Sequence, residues 1–262
     1  MRTLSKAVTT LGHGGKHLEL PYDGLERLVT LRTNELVVVA GAPGGGKSML
    51  SVNLAMDLNV PVLYFAQDSP NSILTRLAAI AGGLEFTRVA DGMETDEGRE
   101  WLAERLEAVR PTLIYNRDAV TFGEIEAKLF AMREWLGINP PLIIIDNLID
   151  MIVEGSHPSE TAFYAHALPR LKQLANKHDV SVCLLHHVKH GENETGTKPL
   201  KLSDLLFAGA REARHVWGVY RSIGNDYLNV QVLKQQDGEA DAYGGLEARL
   251  RWYPKYARIQ DD

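Results

Sequence analysis

The sequence is nearly free of cysteine: Cys183 is its only one among 262 residues, which excludes a disulfide framework. It lies in the apolar run VSVCLL, where a thiol more often fills the core than acts as a nucleophile. No apolar run approaches the roughly 20 residues of a membrane-spanning helix. The opening stretch, MRTLSKAVTTLGHGG, contains no segment suited to a signal peptide. We therefore expect a cytoplasmic protein with no membrane association.

An excess of positive charge is also missing. The 28 Lys and Arg residues against 34 Asp and Glu residues give a formal net charge of −6, which excludes a general polyanion binder. Any contact with nucleic acid must then use a local groove or loop. The apolar share of 45% and the charged share of 24% are typical of a globular domain, and the length suits one large α/β domain.

Apolar runs alternate with stretches of helical character. The runs at 35–40, 61–66, 112–115, 141–145 and 180–185 are continuously apolar, as strands covered on both faces are. Helices are predicted over 48–58, 70–81, 96–109, 121–136 and 159–178, with Thr95 as the N-cap of the third. Short strand-like segments follow at 216–221, 227–234, 246–253 and 256–259. The pattern predicts an α/β fold: a mainly parallel sheet flanked by helices, with antiparallel strands added at its C-terminal edge.

The segment GAPGGGKS fits the phosphate-loop pattern G-x-x-x-x-G-K-[ST] and lies between a predicted strand and a predicted helix. Glycines let backbone N–H groups wrap a phosphate, and the helix N-terminus favours negative charge. Lys47 would supply charge to the β- and γ-phosphates, and the Ser48 hydroxyl would bind Mg²⁺. The predicted nucleotide contacts are Gly41, Ala42, Pro43, Gly44, Gly45, Gly46, Lys47, Ser48 and Met49.

Two acidic residues follow predicted strands. Asp146 ends the run PLIIID, where a carboxylate can help to hold Mg²⁺. Asp68 follows the strand 61–66. If that strand is a neighbour of the first strand, Asp68 lies by the phosphate loop and can orient or deprotonate the attacking water; otherwise it is the N-cap of the helix that starts at Pro70.

A histidine pair ends the run VSVCLLHH. Adjacent residues of a strand point to opposite faces, so His186 and His187 are not expected to bind one metal ion. One of them can contact the γ-phosphate or the attacking water; the alternative is a hydrogen-bonded histidine at a strand end.

The order of these motifs resembles the RecA-like motor domain of hexameric replicative helicases of the DnaB type and their RepA-type plasmid and phage relatives. The likeness covers roughly residues 20–260, with 1–34 as a lead-in and 35–262 as the ATPase domain. It implies that Asp68 polarises the attacking water and that His187 senses the γ-phosphate. VLKQQDGEA is similar to the strand and turn that reach the ATP site of a neighbouring subunit, which makes Lys234 a catalytic candidate.

The chain departs from the family pattern at three places. Asp68 stands where the family usually has Glu, and Gln236 stands in place of the arginine finger, so that Lys234, Arg211 and Arg214 are the candidates to replace it. Leu206 and Phe207 replace an Arg-Glu pair in the DNA-contacting loop. Contacts to single-stranded DNA could still come from Phe207 by stacking and from Lys189, Lys198 or Lys201 through phosphates; the alternative is that these lysines belong to a solvated loop.

The resemblance implies an ATP- and Mg²⁺-dependent motor on single-stranded DNA, a helicase or translocase in replication, assembled as a homo-hexameric ring with ATP sites between subunits. The alternative is a nucleotide-binding accessory protein of recombination, or a regulatory one, without unwinding activity. A small-molecule kinase is disfavoured because the sequence shows no lid-like cluster of arginines.

Overall fold

The computed structural model describes residues 14–66, 70–107, 113–116, 120–155, 157, 159–188, 195–205, 209–222, 224 and 226–262. Nine strands lie within these residues: β1 (Leu36–Gly41), β2 (Val62–Ala66), β3 (Leu113–Asn116), β4 (Leu142–Asp146), β5 (Ser181–His187), β6 (His215–Arg221), β7 (Tyr227–Gln235), β8 (Glu247–Tyr253) and β9 (Arg258–Asp261). They form one sheet in the order β3-β2-β4-β5-β1-β6-β7-β8-β9.

The sheet is parallel from β3 to β6 and antiparallel from β6 to β9. This arrangement confirms the predicted fold class, and each predicted strand lies within two residues of an observed one. The agreement is close because the central strands are buried on both faces, which requires an uninterrupted apolar run.

The α-helices of the described residues are α1 (Asp23–Glu26), α2 (Lys47–Asp57), α3 (Pro70–Gly82), α4 (Phe86–Met93), α5 (Asp96–Glu107), α6 (Phe122–Leu136), α7 (Glu160–His178) and α8 (Gly209–Glu212). The backbone N–H of Gly98 donates to the Thr95 hydroxyl at 3.1 Å, which confirms the predicted N-cap of α5. Helix α4 was not predicted. It contains Gly92 and fully buries only Val89, so its stability comes from packing on α3 and α5 rather than from local propensity.

The two faces of the sheet carry separate cores. One core contains Leu50 and Leu54 of α2 together with alternate strand residues such as Ile144 and Leu185. The other packs α6 and α7 against the intervening strand residues. Since side chains alternate along a strand, Asp146 and His187, two residues beyond Ile144 and Leu185, belong to the α2 face.

The strand order corrects one premise of the sequence analysis. Strands β1 and β2 are not neighbours, because β5 and β4 lie between them. Ala66, the last residue of β2, pairs instead with Asp146. The chain that continues toward Asp68 therefore starts beside Asp146. Apolar runs reveal that buried strands exist, but they carry no information about which strands pair.

The described part of the lead-in packs on the sheet. Leu18, Leu25 and Val29 are buried in the core on the α2 face, and the N–H of Leu18 donates to the carbonyl oxygen of Leu31 at 2.9 Å. Within the described ranges, no helix has the length and apolar character needed to cross a membrane.

Candidate functional site

The phosphate loop joins the carboxyl end of β1 to the first turn of α2. Gly46 adopts φ +105° immediately before the helix, and a Cβ there would lie 2.2 Å from Cδ1 of Leu228. The backbone conformation thus favours glycine, and a larger residue would also displace the Leu228 side chain of β7. The N-terminal amides of α2 follow at once, which favours an anion at this point.

Lys47 places a buried cation under the loop, with only 6% of its surface exposed. Its Nζ donates to the carbonyl oxygens of Gly41 at 2.9 Å and Ala42 at 3.1 Å. It also lies 3.3 Å from Nδ1 of His187. Gly41 and His187 face each other in the register of β1 and β5. Sheet pairing thus brings His187 close to Lys47, another predicted site residue that is 140 positions away in the chain.

Asp146 is a buried carboxylate on the same face, with 4% exposure. The Tyr64 hydroxyl donates to its Oδ2 at 3.1 Å. Burial raises the pKa of Tyr64 well above its ordinary value, and the charge of Asp146 raises it further. Burial, with a smaller effect of Asp146, also raises the pKa of Cys183 to about 12, so this thiol remains protonated in the core, as expected. The Asp146 carboxylate and the hydroxyl of Ser48, in the first turn of α2, offer the oxygen ligands that Mg²⁺, a hard cation, prefers.

The two histidines separate as their strand positions predict. His186 is 1% exposed, and its ring packs edge-on against Tyr164 of α7 with centroids 4.8 Å apart. His187 is the one that approaches the phosphate loop in the contacts described above, through Lys47.

A cavity of about 300 Å³ opens beside the loop. It is lined by Gly44, Gly46, Lys47, Ser48 and Met49 and, across from them, by Arg76, Arg221 and Trp252. The Arg221 guanidinium lies 5.2 Å from the centroid of the Trp252 ring. Arg76, Arg221 and Trp252 were missed in the sequence, where no local motif marks them: they come from α3, β6 and β8.

We call the side of the sheet where the parallel strands end its carboxyl edge, and the side where they begin its amino edge. The phosphate loop lies at the carboxyl edge, and the turn that follows β7 lies at the amino edge. His215 pairs with Val37 near the start of β1 and with Gln235 at the end of β7. The KQQDG turn is therefore at the amino edge, and the phosphate loop of the same chain is separated from it by the length of β1, about 20 Å. A bulge interrupts the β6–β7 register, since Val216 pairs with Lys234 and Trp217 with Val232.

Three cations at this edge, Arg214, Lys234 and Arg211, differ in their interactions. Arg214 donates from Nε to the buried carboxylate of Glu35 at 2.7 Å and from Nη1 to Gln236 at 2.9 Å, and it also pairs with Asp237. Lys234 donates to the carbonyl oxygens of Ala213 at 2.7 Å and Arg211 at 3.2 Å. Burial, followed by the charge of Lys172, lowers the pKa of Lys234. The side chain of Arg211 is exposed.

The predicted nucleic-acid contacts are only partly within the described chain. Lys198 and Lys201 are exposed; Lys189 and Phe207 lie outside the described residues, as does the catalytic candidate Asp68. The segment that carries Lys198 touches the phosphate loop. Gly196 has φ +63°, and a Cβ on it would lie 2.5 Å from Cα of Gly45.

A family profile described as "AAA domain" matches residues 28–193. The chain is 27% identical to "Gene 65 protein" of Mycobacterium phage L5, over all of this chain and 99% of the relative. It is 28% identical to "Replicative DNA helicase DnaB" of Pasteurella multocida strain Pm70, over 97% of this chain but 59% of that relative. The chain thus spans about three-fifths of the DnaB protein.

Two solved structures share the fold. A structure described as an ATPase domain superposes with a TM-score of 0.81 at 16% identity, covering 100% of this chain and 99% of that one. A structure described as a DnaB-like replicative helicase and its interactions with primase gives 0.80 at 17% identity, covering 100% of this chain and 67% of that one. The predicted resemblance to the motor domain of DnaB-type helicases is confirmed.

Proposed function

We propose that this chain, which belongs to the family of AAA domains, is a Mg²⁺-dependent ATPase that works as a ring-shaped motor on single-stranded DNA in replication. One observation carries the proposal. Lys47, His187 and Asp146 come from three different parallel strands or strand–helix junctions, and all lie on the α2 face at the carboxyl edge of the sheet. Ligands of parallel α/β sheets bind at this edge.

Each of these residues has a distinct chemical task in the proposal. Loop amides and the Lys47 ammonium bind the phosphates of ATP and offset their charge. The Ser48 hydroxyl and the Asp146 carboxylate hold Mg²⁺, which supplies further positive charge to the phosphates when bound. Asp68 orients the attacking water, and His187, next to Lys47, contacts the γ-phosphate and responds to its loss.

The two edges of the sheet support an assembly in which subunits join head to tail. A turn about 20 Å from the phosphate loop of its own chain can contribute to catalysis only in a neighbour. Repetition of such a contact gives a ring when the rotation between subunits closes, and a hexameric ring is the form we propose. Arg211 is our candidate for the cation that reaches the neighbouring phosphates, because Arg214 is already engaged by two carboxylates and Lys234 by backbone carbonyls.

Contact with single-stranded DNA is assigned to the segment between β5 and β6. It contains Lys189, Lys198, Lys201 and Phe207, three cations for phosphates and an aromatic ring for stacking. Gly196 of this segment packs on Gly45, which supports communication between DNA and nucleotide. The name of the Pasteurella relative, a replicative DNA helicase, agrees with this assignment.

The test is ATP hydrolysis with and without single-stranded DNA, together with the mass of the assembly in solution. We expect an oligomer whose turnover rises with DNA, and an Asp68→Ala variant that binds ATP but does not hydrolyse it. A monomer that binds ATP tightly and ignores DNA would contradict the motor.

A second function, a nucleotide-binding recombination-accessory or regulatory protein without unwinding activity, is favoured by one observation. Gln236 replaces the usual arginine and accepts a hydrogen bond from Arg214, whose charge Glu35 and Asp237 offset. Under this alternative, the oligomer forms with ATP but shows no strand separation on a forked DNA substrate.

A further inference from the structure

A buried chain of hydroxyl groups connects the first turn of α2 with Asp146. The Ser51 hydroxyl lies 3.1 Å from the carbonyl oxygen of Ser48 and 2.7 Å from the hydroxyl of Tyr64. The Tyr64 hydroxyl lies 3.1 Å from Oδ2 of Asp146. Ser51 is 1% exposed and Tyr64 is 0% exposed, so both hydroxyl groups form their hydrogen bonds with protein atoms rather than with bulk water.

The number of hydrogens restricts how this chain can be arranged. Each hydroxyl has one hydrogen to donate. Tyr64 can donate to the Asp146 carboxylate or to the Ser51 oxygen, and Ser51 can donate to the Tyr64 oxygen or to the Ser48 carbonyl. An ionised carboxylate is the strongest acceptor, so the hydrogen of Tyr64 goes to Asp146. The hydrogen of Ser51 is then shared between the Tyr64 oxygen and the Ser48 carbonyl.

A purely structural role for Tyr64 would not require its hydroxyl group. The Tyr64 side chain lies in the apolar core on the α2 face, together with Leu50 and Ile144, and a phenylalanine ring would fill the same space. A buried hydroxyl is unfavourable unless it is hydrogen-bonded. The bond to Oδ2 fixes the plane of the carboxylate, and outer partners of this kind orient metal ligands and tune metal affinity.

We propose that Tyr64 is a positioning residue, which orients the Asp146 carboxylate for Mg²⁺ and, through Ser51, ties it to the helix turn that carries Ser48. This inference rests on the proposed function, in which Asp146 and Ser48 hold Mg²⁺. Tyr64 touches neither nucleotide nor metal; it acts through Asp146.

The test is Tyr64→Phe in the full chain, measured by binding of a fluorescent ADP analogue at a series of buffered free Mg²⁺ concentrations. We expect nearly unchanged affinity in EDTA. The factor by which saturating Mg²⁺ tightens binding should fall about tenfold, the low end of the effect of removing an outer partner of a metal ligand. Ser51→Ala should reduce the same factor by a smaller amount.

Tyr22→Phe is the matched control. The Tyr22 hydroxyl is also buried and also donates to an aspartate, Oδ2 of Asp57 at 3.0 Å, at the last residue of α2. Both variants should lower the thermal midpoint, and only Tyr64→Phe should change the Mg²⁺ factor. An unchanged Mg²⁺ factor in Tyr64→Phe, with wild type responding to Mg²⁺, overturns the inference alone. Wild type that binds the analogue without any response to Mg²⁺ overturns the proposed function instead.

Discussion

The two edges of the sheet are built in different ways. At the carboxyl edge, one continuous segment, residues 41–48, forms a loop whose backbone and Lys47 bind each other. At the amino edge, Glu35, Arg214 and Asp237 come from three distant segments and are joined by charge. The first edge is preformed within one chain. The second is a charged cluster whose exposed neighbour, Arg211, faces outward, which suits a surface that meets another subunit.

The largest expected effect is at the carboxyl edge. Lys47→Ala should abolish ATP turnover, because phosphate binding and charge compensation are lost together. The measurement is steady-state ATPase activity alongside nucleotide binding. Lys128→Ala, which removes an exposed cation paired with Glu124 on α6, should leave both unchanged. Normal turnover in Lys47→Ala would place the phosphate site elsewhere.

The next effect concerns the amino edge. Arg211→Ala should lower turnover about a thousandfold, as loss of a trans-acting arginine does in other NTPases, with nucleotide binding retained. Mixing it with the inactive Lys47→Ala should restore part of the activity, because some interfaces then combine an intact loop with an intact Arg211. No restoration in an assembly shown to exchange subunits argues against a site shared in this way.

Arg214→Ala sharpens the contrast between the two edges. Buried Glu35 would keep its contact with His215, 2.9 Å away, and would lose its ion pair with the Arg214 guanidinium. We expect the free energy of unfolding to fall by about 2 kcal/mol, less than for a fully buried pair because Arg214 is 33% exposed. Urea denaturation measures this change. ADP affinity at the other edge should stay within twofold of wild type; a large loss would mean that the edges are not independent.

The smallest effect probes the contact between the DNA-side segment and the loop. Gly196→Ala should lower stability by about 1 kcal/mol from the left-handed backbone and by a further amount because the new methyl would lie 2.5 Å from Cα of Gly45. The same clash should weaken ADP binding. Gly137→Ala is the control: it has the same φ of +63° and nothing within 4 Å of the added carbon. Equal ADP affinity in both variants would remove the contact from the mechanism. Calorimetric titration distinguishes these outcomes.

Much of the fold was predictable because it depends on local signals. Buried strands need apolar runs, Thr95 has the side chain of an N-cap, and the phosphate loop is a contiguous motif between a strand and a helix. Strand order was not predictable, because β1 and β2 look alike whether or not they are neighbours. Helix α4 was not predicted because its stability comes from packing against neighbouring helices rather than from a local sequence signal.

In the candidate site, too, some residues are marked by local sequence motifs and others come together only in the folded protein. Lys47 and Asp146 are marked by local motifs, and the assignment of His187 needed the resemblance to a known family. Arg76, Arg221 and Trp252 belong to unrelated segments that meet only in the folded sheet. The pairing of Glu35 with Arg214 likewise joins residues far apart in the chain, and neither residue has a sequence signature.

The bulge between β6 and β7 changes what the KQQDG turn means in an alignment. One extra residue in β7 lies between the partners of Val216 and Trp217, so the alternation of faces along β7 shifts by one position after the bulge. Two relatives with β7 strands of the same length, one with the bulge and one without, would present opposite side chains at this edge. Matching letters at position 236 therefore do not establish matching positions in space, and the replacement for a missing arginine has to be sought among three-dimensional neighbours rather than within the same alignment column.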